Sequence, residues 1–160
     1  MKRAILLMAT MTLTVLLATG VALAVEKTCQ PLTDCFGTNQ ADTLTGTSGE
    51  DQIYGLGGPD LIFGLAGTDL LFGGSGGDEI RGGADGDLLN GAGGDDELRG
   101  GDGVDEIHAG NGDDTVIGGG GTDDIIVNGD QQFGFQDEVF CSGEDTVSAD
   151  PNDILHNCLL

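Results

Sequence analysis

The sequence predicts an all-β solenoid in which two short parallel sheets face each other across a thin aliphatic core. Glycine supplies 31 of the 160 residues, and an aspartate and an aliphatic residue recur at a strict interval. A glycine share this far above the usual value of about 7 % is untypical of a helical or ordinary α/β domain. The net charge of −23, from 28 acidic and 5 basic residues, requires either disorder through self-repulsion or neutralisation by cations.

Residues 1–24 are predicted to be a secretory signal peptide. Two basic residues precede an apolar run over residues 4–18, and Ala22-Leu23-Ala24 offers the small residues that signal peptidase requires. The mature chain would then begin at Val25, be secreted by the general export route and have no membrane association. An uncleaved membrane anchor is the alternative, because the apolar run is nearly long enough to span a bilayer.

A nine-residue repeat runs from Gly37 to Ile126 without an insertion and forms ten blocks. The sixth position of every block is aspartate, and the eighth is always aliphatic. The first position is glycine in nine blocks and Ala109 in the other, and the fourth is glycine in eight blocks. Ten aspartates in register indicate an array of structural repeats.

Each block predicts a glycine-rich turn of six residues followed by a strand of three residues. Glycine permits the left-handed backbone angles of tight turns, and the aliphatic residue at the centre of the strand points inward. One such unit cannot bury its apolar side chain alone, whereas stacked units bury a continuous column. Two nine-residue blocks make one coil of 18 residues, so the ten blocks predict about five coils.

In this geometry the aspartates of alternate blocks stack about 4.8 Å apart, which is the spacing of neighbouring strands. Carboxylates at that distance repel strongly unless a cation lies between them. Carboxylates and turn carbonyls are the oxygen ligands that Ca²⁺ prefers, whereas Mg²⁺ demands a small octahedron and Zn²⁺ favours His and Cys. Five aspartates in each of two columns leave four gaps per column, which sets a limit of eight Ca²⁺ ions. One column comprises Asp42, Asp60, Asp78, Asp96 and Asp114, and the other comprises Asp51, Asp69, Asp87, Asp105 and Asp123.

The block Gly73-Gly74-Ser75-Gly76-Gly77-Asp78-Glu79-Ile80-Arg81 resembles the RTX, or hemolysin-type, calcium-binding nonapeptide. Residues 100–107 and 118–125 are similar, and the resemblance covers residues 37–126. It implies a parallel β-roll, which is a right-handed β-solenoid, with Ca²⁺ held between turns by the sixth-position carboxylates and by turn carbonyls. Members of this family typically fold when they meet calcium outside the cell. The implied carbonyl ligands belong to Gly73, Gly76, Gly100, Gly103, Gly112, Gly118 and Gly121.

Some blocks depart from the family pattern, mostly in the first half of the array. Asp85 replaces the fourth-position glycine, although aspartate tolerates left-handed angles better than most residues. We therefore expect firmer calcium sites over residues 78–123 than in the first three blocks. The residues that replace the second-position glycine are Thr38, Thr47, Leu56, Leu65 and Ala92.

The two ends, residues 25–36 and 127–160, are predicted to cap the open ends of the solenoid. The alternative in the second segment is that Asp145 and Asp150 add metal ligands. The two ends contain all four cysteines, Cys29, Cys35, Cys141 and Cys158. An even number of cysteines in an exported chain predicts two disulfides, for which three connectivities exist. The simplest is local pairing, which joins Cys29 to Cys35 and Cys141 to Cys158.

The seventh and ninth positions of each block point outward and would carry a binding surface. On one sheet they bring Tyr54, Leu70, Phe72 and Leu88 together as an apolar cluster. This cluster would bind a protein partner or a second copy of the chain. The alternative is that one of the terminal segments folds over it.

Taken together, these patterns predict a secreted calcium-binding repeat protein that folds on binding several Ca²⁺ ions and has no enzymatic activity. No Gly-x-Ser-x-Gly motif is present, His108 and His156 are far apart in sequence, and the acidity disfavours nucleic acid. One alternative is an extracellular adhesive or interaction scaffold that uses the outer apolar cluster, with purely structural calcium. The other is a disordered calcium buffer that binds ions without folding.

Overall fold

The chain forms a β-solenoid in a computed structural model that describes residues 26–30, 33–127, 135–142 and 144–158. No helix that could cross a membrane occurs within these described ranges. The predicted signal peptide, residues 1–24, lies outside them. The strands are β1 Glu26–Thr28, β2 Cys35–Phe36, β3 Thr43–Thr45, β4 Gln52–Gly57, β5 Leu61–Ala66, β6 Leu70–Ser75, β7 Glu79–Ala84, β8 Leu88–Gly93, β9 Glu97–Asp102, β10 Glu106–Asn111, β11 Thr115–Gly120, β12 Asp124–Ile126, β13 Glu138–Phe140, β14 Thr146–Ser148 and β15 Ile154–His156.

Consecutive strands alternate between two sheets, as the repeat predicts. The odd-numbered strands β1 to β15 form an eight-stranded sheet in sequence order, and the even-numbered strands β2 to β14 form a seven-stranded sheet. Every pairing is parallel and joins residues one coil apart, for example Leu71 of β6 with Leu89 of β8. The predicted all-β parallel solenoid is therefore confirmed.

The number of coils is larger than the sequence predicts. Sheets of eight and seven strands correspond to about seven coils rather than five. The difference arises because the segments outside the ten blocks add strands to the same sheets: Lys27 pairs with Leu44 at one end, and Val139 pairs with Val116 at the other. The nonapeptide period does not extend to these segments, so counting blocks underestimates the length of the solenoid.

The strands are also longer than the three residues predicted. Most of them run for six residues, from the seventh position of one block to the third position of the next, as in Leu61–Ala66. The parallel pairing between strands of neighbouring coils resumes after the first-position glycine, where Leu56 pairs with Gly74 and Gly57 pairs with Ser75. The tight turn is accordingly confined to the fourth, fifth and sixth positions.

The core is a double column of single aliphatic side chains. Every eighth-position residue has 0 % of its surface exposed, and Val127 and Val139 extend the column beyond the blocks. Because each strand buries one such side chain, at roughly 1.5–3 kcal/mol per residue, the core is thin for the chain length that it must order. The eighth-position residues are Leu44, Ile53, Ile62, Leu71, Ile80, Leu89, Leu98, Ile107, Val116 and Ile125.

Two disulfides close the ends of this core. Cys29 is bonded to Cys35, and Cys141 is bonded to Cys158, so the predicted local pairing is confirmed. Cys29 and Cys35 are almost fully buried and belong to the same apolar cluster as the aliphatic column. A disulfide thus adds to the core at each end of the solenoid, where the aliphatic column ends.

The second position adopts left-handed backbone angles in eight of the ten blocks; Thr38 and Thr47, in the first two blocks, do not. Its glycines have φ between 115° and 130°, as at Gly101 with 124°. Three side chains keep the left-handed conformation at a smaller φ: 81° at Leu56, 90° at Leu65 and 78° at Ala92. The change of angle indicates that the turn accommodates a side chain here only with a local adjustment of the backbone.

Candidate metal centre

The ten sixth-position aspartates form two buried columns along the solenoid. Each aspartate lies at the end of a turn, directly before a strand, and none exposes more than 4 % of its surface. Aspartates are seldom buried to this degree without a partner, because an ionised carboxylate loses its hydration. The solenoid stacks alternate blocks, so each column contains the five aspartates that the repeat predicts.

In each column, every aspartate after the first accepts a hydrogen bond through Oδ1 from a backbone N–H of the preceding coil. The N–H of Asp60 donates to Oδ1 of Asp78 at 2.8 Å, and the N–H of Asp78 donates to Oδ1 of Asp96 at 2.7 Å. The Asp60 carbonyl in turn accepts the N–H of Glu79 at 2.8 Å. This bonding fixes the orientation of each carboxylate and leaves its second oxygen pointing elsewhere.

The second oxygen, Oδ2, is buried without a hydrogen-bond partner in the middle of both columns. A buried acceptor that lacks a donor costs about 1–3 kcal/mol, so its recurrence in block after block requires an explanation. Within the described part of the chain, this holds for Oδ2 of Asp60, Asp69, Asp78, Asp87, Asp96, Asp105 and Asp123.

Each of these oxygens faces the first-position glycine of its own block. A Cβ atom built on Gly55 would lie 2.3 Å from Oδ2 of Asp60 and 2.5 Å from the carbonyl oxygen of Gly73, one coil further on. The two oxygens are therefore within about 5 Å of each other, a separation that a Ca²⁺ ion with bonds of about 2.3–2.6 Å can bridge. Gly82 and Gly100 show the same arrangement, with Cβ distances of 2.3–2.5 Å to both oxygens.

Burial raises the pKa of these carboxyl groups above the usual value of 3.8. Loss of hydration is the largest cause, and the hydrogen bond from the preceding coil opposes it. Neighbouring carboxylates raise the pKa of Asp96 further. The pKa is about 6 for Asp60, Asp69, Asp78 and Asp105, about 7 for Asp87 and about 8 for Asp96. These shifts are characteristic of anions that lack a counter-charge.

The available donors fit a hard divalent cation. They are carboxylate and carbonyl oxygens, with no recurring nitrogen or sulfur, which favours Ca²⁺ over Zn²⁺. Among the described residues, no three His, Cys, Asp or Glu side chains converge on one point. A Ca²⁺ ion here must therefore complete its coordination with backbone carbonyls and water.

Three of the carbonyls implied by the resemblance, those of Gly73, Gly100 and Gly118, lie beside the Oδ2 atoms. The carbonyls of Gly76 and Gly103 instead face the fourth-position glycine of the next coil. No described contact relates the carbonyls of Gly112 and Gly121 to a carboxylate. The assignment of all seven as ligands stays a prediction.

In the first two blocks, the Oδ2 atom of the aspartate has hydrogen-bond donors. Thr38 donates both its N–H, at 2.5 Å, and its hydroxyl, at 2.9 Å, to Oδ2 of Asp42. Thr47 does the same for Asp51, at 2.6 Å and 3.0 Å. The oxygen that elsewhere lacks a donor is thus hydrogen-bonded here, which is consistent with the weaker calcium sites expected at this end.

The columns continue past the last block, which the nine-residue period does not predict. The N–H of Asp114 donates to Oδ1 of Asp137 at 2.9 Å, and the N–H of Asp123 donates to Oδ1 of Asp145 at 3.2 Å. Asp137 in turn donates its N–H to Oδ1 of Asp153. A short sequence pattern marks these additional members of the columns: each of these aspartates is followed two residues later by an aliphatic residue, as at Asp137-Glu138-Val139.

The predicted apolar cluster is present on the outer face of the seven-stranded sheet. Tyr54 and Phe72 stack with ring centroids 5.0 Å apart, and Leu70 pairs in register with Leu88. Phe36, which the sequence assigns to the N-terminal segment, extends the stack with a centroid 5.0 Å from that of Tyr54 and is 47 % exposed. The aromatic rings thus form a continuous row across β2, β4 and β6, and the Leu70–Leu88 pair joins β6 to β8.

A parallel β-solenoid with stacked aspartate turns has the architecture of a calcium-binding β-roll. The sequence profile of the RTX calcium-binding nonapeptide repeat matches the chain in four copies, over residues 36–71, 63–98, 72–107 and 99–131. These copies cover more than half of the chain, so the protein belongs to the RTX calcium-binding nonapeptide repeat family. No curated protein sequence matches the chain significantly.

Proposed function

We propose that this chain is a secreted calcium-binding protein whose β-roll folds when Ca²⁺ ions enter the two aspartate columns. The observation that carries the proposal is the buried Oδ2 atom, which recurs without a donor beside a carbonyl oxygen of the next coil. Family membership supports the same ion, since this family is defined by calcium-binding repeats.

The coupling of calcium to folding follows from the balance of energies. Each coil buries two aliphatic side chains but orders 18 residues, and each ordered residue costs about 1–2 kcal/mol of backbone entropy. The stacked carboxylates add the cost of burying charge. A dication between the turns removes that cost and adds bonds that the unfolded chain cannot make, so its binding energy becomes folding energy.

We assign the ligands to the ten stacked aspartates and to the turn carbonyls implied by the family pattern, with a limit of eight ions set by the gaps between blocks. The sites between Asp78 and Asp123 should fill first. Those next to Asp42 and Asp51 should be weaker because a threonine hydroxyl already donates to Oδ2 of each carboxylate.

Equilibrium dialysis with ⁴⁵Ca²⁺ tests this assignment on the disulfide-bonded protein. We expect Asp87→Asn to bind fewer ions and to raise the calcium concentration at half-saturation at least about tenfold, which corresponds to the loss of about 1.4 kcal/mol. Asp124→Asn makes the same change of charge on an exposed outward position and should bind calcium as the unaltered protein does. Equal behaviour of the two variants would refute the ligand assignment, and a lack of binding by the unaltered protein would refute the proposed function.

The remaining parts of the proposal concern location and chemistry. The two disulfides are typical of an oxidising compartment, which supports secretion, with residues 1–24 as the leader. An RTX β-roll is a structural calcium-binding fold and generally non-enzymatic, and we propose that this chain has no catalytic activity of its own. His108 contacts the Glu106 carboxylate, and His156 contacts the Glu138 carboxylate. Each histidine thus belongs to a surface pair with a glutamate, which explains it without a catalytic role.

A second candidate function is an extracellular interaction scaffold in which calcium is purely structural. The outer row of Phe36, which is exposed, and of Tyr54 and Phe72, which are half-buried, favours it, because contiguous apolar surface commonly marks a site of association. The double variant Phe72→Ser, Leu88→Ser separates the two functions. Loss of self-association or partner capture in sedimentation experiments, with calcium binding intact, would support the scaffold; unchanged behaviour would remove it.

A further inference from the structure

The second aspartate column has an additional member outside the nonapeptide repeats. The family match ends at residue 131, whereas Asp145 accepts the N–H of Asp123 through Oδ1 and is only 3 % exposed. Strand β14 begins directly after Asp145 and pairs in register with β12, Val147 opposite Ile125. Asp145 thus occupies the position that a sixth-position aspartate would have in one more coil.

The oxygen atoms around Gly118 differ from those around the corresponding glycines in the earlier blocks. At Gly100 the Cβ position lies next to one carboxylate oxygen and one carbonyl oxygen of the next coil. At Gly118 it lies 2.5 Å from Oδ2 of Asp123 and 3.3 Å from Oδ2 of Asp145, so a second carboxylate replaces the carbonyl. The two oxygens are at most about 6 Å apart, which one Ca²⁺ ion spans with a small side-chain adjustment.

The chemistry of this space requires a cation. Asp123 is 1 % exposed, and its Oδ2 atom is buried without a hydrogen-bond partner, on the side of Gly118 where Oδ2 of Asp145 also lies. Two carboxylates facing each other in a water-poor site repel unless a positive charge lies between them. A dication bound here would neutralise one carboxylate from each of the two neighbouring coils, and oxygen ligands of this kind are those that Ca²⁺ prefers.

The C-terminal disulfide fixes the position of Asp145. Ser142, which directly follows Cys141, donates its N–H to Oδ2 of Asp145 at 2.8 Å. Cys141 is itself held by its bond to Cys158 and by donating its N–H to the carbonyl of His156 at 3.0 Å. Asp145 lies inside the loop that this disulfide closes, so the bridge and the carboxylate form one unit.

We propose that Asp123 and Asp145 form a terminal Ca²⁺ site outside the repeats, and that the Cys141–Cys158 disulfide maintains its geometry. The inference rests on the proposed function, because it assumes that the columns take calcium. It adds one ion beyond the limit that the ten blocks set. It also gives the C-terminal segment a metal-binding role in addition to the capping role predicted from the sequence.

The number of Ca²⁺ ions per chain tests the site, measured at saturating Ca²⁺ by native mass spectrometry of the disulfide-bonded protein. Asp145→Asn keeps an oxygen acceptor for the Asp123 N–H and should bind one ion fewer than the unaltered protein. The matched control is Glu144→Gln, which removes the same charge from the exposed neighbouring residue and should leave the count unchanged. Asp145→Ser, a second variant that retains an oxygen, should reproduce the loss if the amide perturbs the fold.

The role of the disulfide is tested by the double variant Cys141→Ser, Cys158→Ser, which should bind one Ca²⁺ ion fewer than the unaltered protein. Combining this double variant with Asp145→Asn should not lower the ion count further, because both changes remove the same site. Far-UV circular dichroism at saturating Ca²⁺ checks that the roll is retained in each variant. An unchanged ion count in folded Asp145→Asn and Asp145→Ser would overturn the terminal site while leaving the proposed function intact. Absence of any bound Ca²⁺ in the unaltered protein would overturn both.

Discussion

Replacement of Gly101 by alanine tests whether the second position of the block depends on the left-handed conformation of glycine. Gly101 has a φ of 124°, and a Cβ atom built on it would lie 2.1 Å from the carbonyl oxygen of Gly83. The other two nearest atoms, at 2.9 and 3.0 Å, also belong to the Gly83 backbone. Because no flexible side chain can move aside, the alanine must displace a strand of the neighbouring coil.

The expected cost follows from two contributions. A non-glycine residue in this conformation costs about 1–3 kcal/mol, and Ala92 shows that the backbone rotates toward a φ of 78° to reduce it. Displacement of the Gly83 carbonyl weakens the ladder, and a lost hydrogen bond costs about 1 kcal/mol. We therefore expect Gly101→Ala to lower the free energy of unfolding by about 3 kcal/mol.

Gly93→Ala is the matched control for this variant. Gly93 lies at the third position, its φ is outside the left-handed region, and a Cβ atom there would meet nothing within 4 Å. Its substitution should change the free energy of unfolding by less than about 0.5 kcal/mol or stabilise slightly, since alanine restricts the unfolded chain. Guanidinium unfolding in saturating Ca²⁺, followed by far-UV circular dichroism with disulfides intact, measures both. Equal effects of the two variants would refute the reasoning.

Three further predictions concern pH, the first blocks and the core. Burial raises the pKa of Asp87 to about 7 and of Asp96 to about 8, so the calcium-free roll binds more protons than the unfolded chain. The stability of the calcium-free roll should therefore be greatest below about pH 4 and be lost as the pH rises through about 6 to 8. The calcium concentration at half-saturation should fall over the same pH range. Circular dichroism in chelator checks the loss of stability with rising pH, and calcium titrations at pH 5.5 and 8 check the fall in the half-saturating calcium concentration. A calcium-free roll that gains stability toward pH 8 would contradict this prediction. Thr47→Val removes the hydroxyl donor to Asp51 and should cost about 1 kcal/mol in guanidinium unfolding, whereas Thr45→Val on the outer strand face should cost less than half of that. Leu89→Ala empties a fully buried position and should cost about 3 kcal/mol by the same measurement, and a cost below about 1 kcal/mol would show that the aliphatic column is not tightly packed.

The features that the sequence predicts well are those carried by the strict period. Aspartate at the sixth position and an aliphatic residue at the eighth place the carboxylates in columns and the apolar side chains in the core, because every coil repeats the same backbone. The stacking of Tyr54 on Phe72 follows from the same register. The disulfide pairing was also predictable, since each pair of cysteines lies on one side of the repeat array.

The features that the sequence does not predict arise where the period is broken. Asp137 lies 23 residues after Asp114, and Asp145 lies 22 residues after Asp123, instead of the usual 18. A solenoid tolerates inserted residues in its loops, so a strict nine-residue alignment passes over strands that have returned to register. The donation from Thr38 and Thr47 to the neighbouring carboxylates is likewise a local side-chain contact that periodicity does not encode.

The strand length was underestimated for a different reason. Glycine at the first three positions suggests a turn, because glycine weakens strands in general. Here the backbone of the neighbouring coil lies close to the second-position glycines, as the short Cβ distances at Gly83 and Gly101 show, and side chains at this position are accompanied by the smaller φ seen at Ala92. Close backbone approach, rather than flexibility, therefore explains the glycine content of the extended segments.

Far-UV circular dichroism of the disulfide-bonded protein during titration with Ca²⁺, and separately with Mg²⁺, tests the central claim most directly. The account predicts little β signal in chelator at pH 8, a cooperative rise of that signal with Ca²⁺ and no comparable rise with Mg²⁺. A full β spectrum in chelator at pH 8, unchanged by added Ca²⁺, would contradict the claim that calcium drives folding and would identify the repeats as a metal-independent scaffold.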